Sequence, residues 1–234
     1  MKKQRVDYSG FSLKRISEPR FAHAKLLLGW LAYFAMYFLT ENLIPPGRCH
    51  TVHCFLDDVI PFSEVFVIFY IGWFALVAGS LACTFFYDVE NFRRLQIFLM
   101  ITQALAMLCY IVYPSIQHLR PETFPRHNVF TWVLGMIYAF DTPTGVCPSL
   151  HVAYSVGILS VALKDRDLSG WLKAALTVFV LMVCLAVCFV KQHSVVDVLT
   201  ALPVCLIAEI AVFGKDWWRP RLRRLFFRAR KIIV

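Results

Sequence analysis

Apolar residues in this chain are gathered into long runs that are separated by short polar segments. Because a helix needs about 20 apolar residues to cross the hydrocarbon core of a bilayer, each long run predicts a membrane span. The runs cover residues 23–40, 62–83, 95–113, 148–163, 172–190 and 194–213. We therefore predict an all-α integral membrane protein that is built as a six-helix bundle.

A seventh apolar run, at residues 129–140, is too short to span a bilayer. We predict a re-entrant or interfacial helix there. The segments 1–22 and 214–234 are basic tails, and they flank a single membrane domain at residues 23–213. The first apolar run directly follows a polar, basic segment, which is typical of a signal anchor.

The composition supports a membrane protein. Hydrophobic residues make up 59% of the chain and charged residues only 17%, and the mean hydropathy is +0.63. In a typical soluble domain about a quarter of the residues are charged. The net charge of +9 is concentrated in the two tails beside membrane spans, so we expect these residues to face membrane lipids and not nucleic acid. The sequence leaves the oligomeric state open.

The positions of lysine and arginine predict the orientation. Six spans place both termini on one side, and 20 of the 24 lysines and arginines lie in the tails or in loops on that side. Such an excess is typical of cytoplasmic segments, so we predict that both termini are cytoplasmic. The loop at residues 114–147 and the beginnings of the fourth and sixth spans then share the extracytoplasmic face.

The beginning of the sixth span carries a candidate catalytic pair. His193 and Asp197 are four residues apart, which on a helix places both side chains on one face. A carboxylate at that position accepts the imidazole Nδ1–H and leaves Nε2 to act as a base or nucleophile. An ionisable residue inside an apolar segment is costly and usually functional. The alternative is a polar turn that caps the helix at the membrane surface.

A second histidine, His151, lies in the first turn of the fourth span. Helix N-termini bind phosphate through their free N–H groups, and we predict Ser149, Arg120 and Lys191 as phosphate ligands beside them. If His151 and His193 flank the bound anion, one imidazole attacks and the other protonates the leaving group. We expect such phosphoryl transfer to need no metal and no cofactor.

These residues also form motifs. Pro148-Ser149-Leu150-His151 resembles the Pro-Ser-Gly/Leu-His motif of the type 2 phosphatidic acid phosphatase superfamily. His193-Ser194-Val195-Val196-Asp197 is similar to its terminal His-x-x-x-Asp motif, and Arg120-Pro121 to the end of its Lys-x6-Arg-Pro motif. Members of that family have a six-helix core and act on lipid phosphates without metal.

The resemblance implies a role for each matched residue. His193 would accept the phosphoryl group, Asp197 would orient it, and His151 would protonate the leaving oxygen. Arg120 and Ser149 would bind the phosphate. We therefore expect a membrane lipid phosphatase that hydrolyses a lipid phosphate through a phosphohistidine intermediate at the extracytoplasmic face.

The chain also departs from the family pattern. Tyr113 stands in place of the family's lysine and Ala186-Val187 in place of its Ser-Arg pair, and Lys191 is a candidate replacement for one of these cations. Leu150 and the order Lys191-Gln192-His193 are closest to the inositolphosphotransferase and sphingomyelin synthase-like branch, which passes a head group to an alcohol. Head-group transfer is therefore the alternative enzymatic function, and a non-enzymatic anion or lipid transporter or scaffold is the contrasting class.

The loop after the first span contains Cys49-His50 and His53-Cys54. Three interpretations stay open for this cluster. Cys49 and Cys54 form a disulfide if the compartment is oxidising, they remain free thiols, or the four side chains hold a metal ion.

Three acidic residues are expected to have structural or solvated positions. Asp57 and Asp58 are predicted at a solvated loop edge. Asp141 follows the short apolar run, and we expect it to cap a turn or to pair with Arg120.

Overall fold

The computed structural model describes residues 6–221, and most of these residues are helical. The α-helices in this part of the chain are α1 (Leu28–Leu43), α2 (Phe55–Val59), α3 (Val67–Tyr87), α4 (Val89–Val112), α5 (Val129–Phe140), α6 (Leu150–Lys164), α7 (Gly170–Phe189) and α8 (Val195–Phe213). Two short strands, β1 (His50–Thr51) and β2 (Ser115–Ile116), pair in parallel with His50 opposite Ser115. The predicted helical fold is thus confirmed.

Five helical segments of the described chain are long and apolar enough to cross a membrane. They are Ala22–Leu43, Glu64–Tyr87, Val89–Val112, Gly170–Phe189 and Val195–Arg221. The predicted fourth span is the shorter helix α6, with 15 residues, and the predicted interfacial run is α5, with 12. Five of the six predicted runs therefore reach spanning length as helices.

Two helix ends differ most from the sequence prediction. Helix α4 begins at Val89, because the Asp88 carboxylate caps it by accepting a hydrogen bond from the backbone N–H of Asn91 at 3.1 Å. Helix α8 continues through a π-helical turn at Gly214–Trp218 to Arg221, so the predicted tail at 214–234 begins as helix. The rest of that tail, residues 222–234, and residues 1–5 of the N-terminal tail lie outside the described residues.

Helices α4 and α6 form the centre of the bundle. Helix α4 packs against α1, α3, α6 and α8, while α6 packs against α3, α4, α7 and α8. Close approach of the central pair depends on Gly157, because a Cβ atom there would lie 2.6 Å from the Phe98 ring. Most of α6 is buried by its neighbours, so its sides are covered by protein.

The outer helices carry their large apolar side chains on the surface. Leu31 of α1, Phe74 of α3, Leu181 of α7 and Ile210 of α8 are each more than half exposed. A continuous apolar surface of this kind is unfavourable in water and is the normal outer surface of a helix bundle in lipid. The structure is therefore that of a multi-pass membrane protein.

Helix α2 lies against the turn between α7 and α8, and this contact corrects a sequence prediction. Asp57 was expected at a solvated edge, but its side chain is buried. Its carboxylate accepts hydrogen bonds from the Ser194 hydroxyl at 2.6 Å, the Val195 N–H at 2.8 Å and the Cys54 N–H at 2.8 Å. Asp58 is exposed as predicted and pairs with His53 at 2.9 Å. Asp57 therefore fastens α2 to the N-terminus of α8.

Candidate active site

The pair His193 and Asp197 forms at the N-terminus of α8. Ser194 caps the helix, so Asp197 falls at the third helical position, where its carboxylate accepts the Ser194 N–H at 3.0 Å. The same oxygen lies 3.1 Å from His193 Nδ1. His193 itself precedes the helix, so the two side chains meet across the helix cap and not along one helical face as the spacing alone predicted. Asp197 is fully buried.

His151, in the first turn of α6, faces His193 directly. Its Nδ1 lies 3.2 Å from His193 Nε2. The His151 ring packs beside the rings of Tyr70 and Trp73, with centroid separations of 4.6 and 4.3 Å, and Trp73 Nε1 donates to the His151 carbonyl at 3.0 Å. The two predicted histidines and Asp197 thus form one continuous hydrogen-bonded chain.

The tautomers of both histidines follow from this chain. The Asp197 carboxylate is an acceptor, so His193 Nδ1 carries the proton and Nε2 carries the lone pair. His151 Nδ1–H then donates to that lone pair, which leaves His151 Nε2 buried and without a partner. The nitrogen that is suited to nucleophilic attack is therefore covered by the second imidazole. A ligand atom that approaches this nitrogen would require one of the two rings to turn.

The turn before α6 is held by three other elements. The Ser115 hydroxyl of β2 accepts two backbone N–H groups of the turn, and the Tyr110 hydroxyl donates to the Pro148 carbonyl at 2.7 Å. The Ser149 N–H donates to the Asp197 carbonyl at 3.0 Å. Ser149 is fully buried, and its hydroxyl has no hydrogen-bond partner. Its hydroxyl is thus an unpaired donor close to Asp197, but Ser149 is not among the residues that line the neighbouring cavity, and its role as a phosphate ligand stays a prediction.

Arg120 is held by protein carbonyls. Its Nη1 donates to the backbone oxygens of Tyr138 at 3.2 Å and Asp141 at 2.9 Å, while its Nη2 donates to the Thr142 oxygen at 3.3 Å and to the Gln192 side chain. A guanidinium has four terminal N–H groups and one on Nε. Only the Nε–H is without a partner, and it is buried. Arg120 thus contacts the site indirectly, through the Gln192 side chain. The pair of terminal N–H groups that we predicted to bind phosphate donates to protein oxygens instead.

The structure does not bring Lys191 to the histidines. Its ammonium donates to the backbone carbonyls of Asp57 at 2.7 Å and Ile60 at 2.6 Å, at the C-terminal end of α2. A cation is favourable there because the last carbonyls of a helix are unpaired. The Lys191 backbone has a positive φ of 53°, a conformation that is uncommon for a residue with a side chain. The predicted phosphate ligand is therefore a buried clamp between α2 and the α7–α8 turn.

A cavity of about 780 Å³ opens from the two histidines into the space between α1 and α3. Aromatic side chains dominate its wall, including Trp30 and Phe34 of α1 and Trp73 of α3. Val77 and Leu81 continue the wall along α3, about one helical turn apart, away from the histidines. The polar end of the cavity thus holds the imidazoles, and the remainder is apolar.

The sequence did not single out Gln192 or assign a ligand-facing position to Asp141. Both line the cavity beside His193, and the Gln192 amide donates to the Asp141 carboxylate at 3.3 Å. Burial raises the pKa of Asp141, and the neighbouring His193 and Arg120 oppose that rise. Of the two positions expected for Asp141, the structure shows a cap, since Asp141 is the C-cap residue of α5. Arg120 contacts the backbone oxygen of Asp141 and not its carboxylate, so the alternative ion pair does not form. The sequence signal that points to Asp141 as a cavity residue is its position at the end of an apolar helix.

Cys49 and Cys54 are free thiols in the structure, and each is partly buried. Cys54 lies at the N-cap of α2, and the Cys49 thiol lies 3.8 Å from the Pro45 carbonyl oxygen. Within residues 6–221, no group of three or more His, Cys, Asp and Glu side chains is arranged to hold a metal ion. Of the three interpretations of this loop, the structure adopts the one with free thiols.

Comparison with protein families, curated proteins and solved structures finds no match for this chain. The family resemblance therefore rests on the short motifs around His151, His193 and Arg120. A function for the site has to be argued from the chemistry of its own residues.

Proposed function

We propose that this protein is a membrane enzyme that hydrolyses a lipid phosphate through a phosphohistidine intermediate. The observation that carries this proposal is the chain Asp197–His193–His151 at the polar end of an apolar cavity. A carboxylate behind one imidazole fixes its tautomer and the direction of its free nitrogen. Binding of an anion alone requires no such arrangement.

The first chemical step is attack of His193 Nε2 on phosphorus. The bond between phosphorus and the lipid oxygen breaks, and His151 in its imidazolium form gives a proton to that oxygen. The negative charge of the bound phosphate offsets the cost of charging His151 in a buried position. In the second step a water attacks the phosphohistidine, its proton passes to His151, and the bond between nitrogen and phosphorus breaks to release phosphate.

The apolar part of the cavity suits the hydrocarbon chains of a lipid. Trp30 and Phe34 on one side and Val77 on the other offer apolar contacts over several helical turns. The lining residues follow α3 from Tyr70 to Leu81, so a lipid whose phosphate reaches His193 could lay its chains along this helix. A soluble phosphate ester would leave this surface uncovered.

The membrane arrangement that we propose has six spans. They are the five long helical segments and, fourth in chain order, the shorter helix α6. Its 15 residues extend only about 22 Å, which is short of the roughly 30 Å core. A central helix that is enclosed by other helices does not have to match the bilayer, because its ends and flanking turns contact protein. With the charge asymmetry of 20 to 4, this topology puts both termini in the cytoplasm and the histidines at the extracytoplasmic face.

The test uses purified protein with phosphatidic acid that carries labelled phosphate, in detergent micelles. We expect release of free phosphate and, after an alkaline quench, labelled protein that is lost in His193→Ala. His127→Ala is the matched control, because His127 is an exposed histidine at the same end of the bundle. Absence of both released phosphate and labelled protein with every lipid phosphate offered would overturn the enzymatic proposal in favour of a transporter or scaffold.

A further inference from the structure

The wall of the cavity beside the two histidines contains no lysine or arginine among the described residues. The Lys191 ammonium binds carbonyls of α2, and the terminal N–H groups of Arg120 donate to protein oxygens. An anion in a buried site is unfavourable unless it accepts hydrogen bonds. A phosphate group near His193 therefore needs a donor other than these two cations.

Gln192 is the cavity residue whose side chain Arg120 contacts. Arg120 Nη2 donates to Gln192 Oε1, so the amide oxygen faces the guanidinium. The amide nitrogen lies 3.3 Å from the Asp141 carboxylate, which accepts one of its N–H groups. Both neighbours thus require the same orientation of the amide. The Gln192 backbone is also fixed, because its N–H donates to the Val187 carbonyl at 3.0 Å.

The second N–H of the Gln192 amide is only weakly engaged. The acceptor described for it is the Tyr70 hydroxyl, at 3.4 Å, and that hydroxyl itself lies 3.3 Å from the Asp141 carboxylate. Both distances are longer than those of ordinary hydrogen bonds, which lie between about 2.5 and 3.2 Å for these donors. A stronger acceptor in the cavity can therefore take this N–H at little cost.

We propose that the Gln192 amide is a ligand for the phosphate group and that Arg120 is a positioning residue behind it. One amide N–H donates to a phosphoryl oxygen, while Arg120 holds the amide and polarises it through the carbonyl oxygen. This inference rests on the proposed phosphoryl chemistry. It adds a ligand to which the family resemblance assigns no role, and it replaces the direct contact of Arg120 with phosphate by an indirect one.

The charges on the two sides of the amide have opposite signs. The Asp141 carboxylate repels an anion in the cavity, whereas the Arg120 guanidinium attracts it from the carbonyl side of Gln192. These two effects oppose each other, so the charges alone do not select phosphate at this wall. The contribution of Gln192 is the directed N–H, which is lost when the amide is replaced.

Thermal unfolding of purified protein in micelles, at increasing concentrations of inorganic phosphate, measures this contact without any turnover. A ligand that binds the folded protein raises its unfolding midpoint, so the dissociation constant follows from the rise with concentration. We expect Gln192→Leu to weaken phosphate binding by about 10- to 100-fold, as for a lost hydrogen bond to a charged group. Asn42→Leu is the matched control and should bind phosphate like wild type. Asn42 is an exposed amide outside the cavity wall that donates to the Phe38 carbonyl of its own helix.

Two further variants make the result decisive. Gln192→Glu keeps an oxygen for Arg120 but has no N–H when ionised, so it should also lose phosphate binding, and it covers the case in which Gln192→Leu does not fold. Arg120→Met is measured alone and together with Gln192→Leu. If Arg120 acts through the amide, the two losses in affinity are not additive. Additive losses would show that Arg120 binds phosphate directly and would overturn its positioning role.

The outcomes separate this ligand from the proposed reaction. Phosphate affinity that is unchanged in both Gln192 variants, or a wild-type protein that inorganic phosphate does not stabilise, refutes the Gln192 contact even if lipid phosphate is hydrolysed. Loss of affinity in the Gln192 variants but not in Asn42→Leu supports the contact. If that loss is found in a protein that turns over no lipid phosphate, the hydrolytic function fails while the Gln192 contact stands.

Discussion

Replacing Asp57 by alanine removes the clamp that joins α2 to the N-terminus of α8. The carboxylate accepts three hydrogen bonds, from Ser194, Val195 and Cys54. Since a bond to a charged group contributes about 1.5–3 kcal/mol, the low end of that range for three bonds gives about 4.5 kcal/mol. At about 2–4 °C for each kcal/mol in a chain of this size, the unfolding midpoint should fall by about 9–18 °C.

The substitution should also lower the reaction rate at the site. His193 directly precedes the two residues that Asp57 holds, and a misplacement of about 1 Å in a catalytic group costs about 100-fold in rate. Asp58→Ala is the matched control, because the neighbouring carboxylate is exposed and contacts only His53 among the described residues. Three measurements separate the consequences. Phosphate release reports the rate, thermal unfolding in micelles reports the stability, and thiol labelling of Cys54 at the α2 N-cap reports the loss of contact between α2 and α8.

The dependence on pH has a defined sign. Burial raises the pKa of Asp57, but the hydrogen bonds from Ser194, Val195 and Cys54 outweigh it, and the resulting pKa is below the ordinary value. A carboxylate with a lowered pKa in the folded state contributes stability above its unfolded pKa of about 3.9. The stability difference between wild type and Asp57→Ala should thus be full at neutral pH and shrink as the pH falls through the folded-state pKa. Equal unfolding midpoints of Asp57→Ala and Asp58→Ala at neutral pH would refute the clamp.

Three other predictions address the site and its orientation. His151→Ala should slow hydrolysis of a lipid phosphate by about 10²- to 10⁴-fold but affect p-nitrophenyl phosphate much less, because a good leaving group needs no general acid; equal losses on both substrates would argue for a structural role. In protein without Cys49, Cys54 and the exposed Cys83, an impermeant thiol reagent should label Thr123→Cys in intact cells and Ser169→Cys only after permeabilisation, and the opposite pattern would invert the topology. Lys191→Met should lower thermal stability without raising KM for the lipid phosphate, whereas a large rise in KM would restore the role of Lys191 as a phosphate ligand.

The sequence predicted the elements whose local pattern is decisive. The short run at Val129–Phe140 has the same bounds as α5, because Asn128 and Asp141 enclose it and Asn128 caps the helix. The sequence also carries a local signal for the start of α8, since Ser194 and Asp197 have the spacing of a capping box. Local signals of this kind do not depend on partners elsewhere in the chain.

The contacts that the sequence did not predict all join distant segments. Asp57 and Asp58 are adjacent acids, and nothing in the local pattern distinguishes the buried one from the exposed one. Asp57 is 137 residues from Ser194, its hydrogen-bond partner. Lys191 looked like a phosphate ligand because it lies near His193 in sequence, but its carbonyl partners are 131 and 134 residues away. Whether the Lys191 ammonium is available to a ligand or bound by protein carbonyls therefore depends on how α2 packs, which the local sequence does not reveal.

Asp57 and Lys191 act on the same short segment from opposite ends. The Lys191 ammonium binds the backbone carbonyl of Asp57, and the Asp57 carboxylate binds Ser194 and Val195. His193 lies between these anchors, and its ring is then turned by Asp197. The Lys191 ammonium, the Ser194 hydroxyl and the Val195 backbone N–H, on either side of the imidazole, are thus all held by hydrogen bonds. The His151 ring, by contrast, has no hydrogen-bond partner on its Nε2 side among the described residues. If a phosphoryl group binds here, the ring that turns to admit it is accordingly expected to be that of His151, the proposed proton donor, while His193, the proposed nucleophile, stays in place.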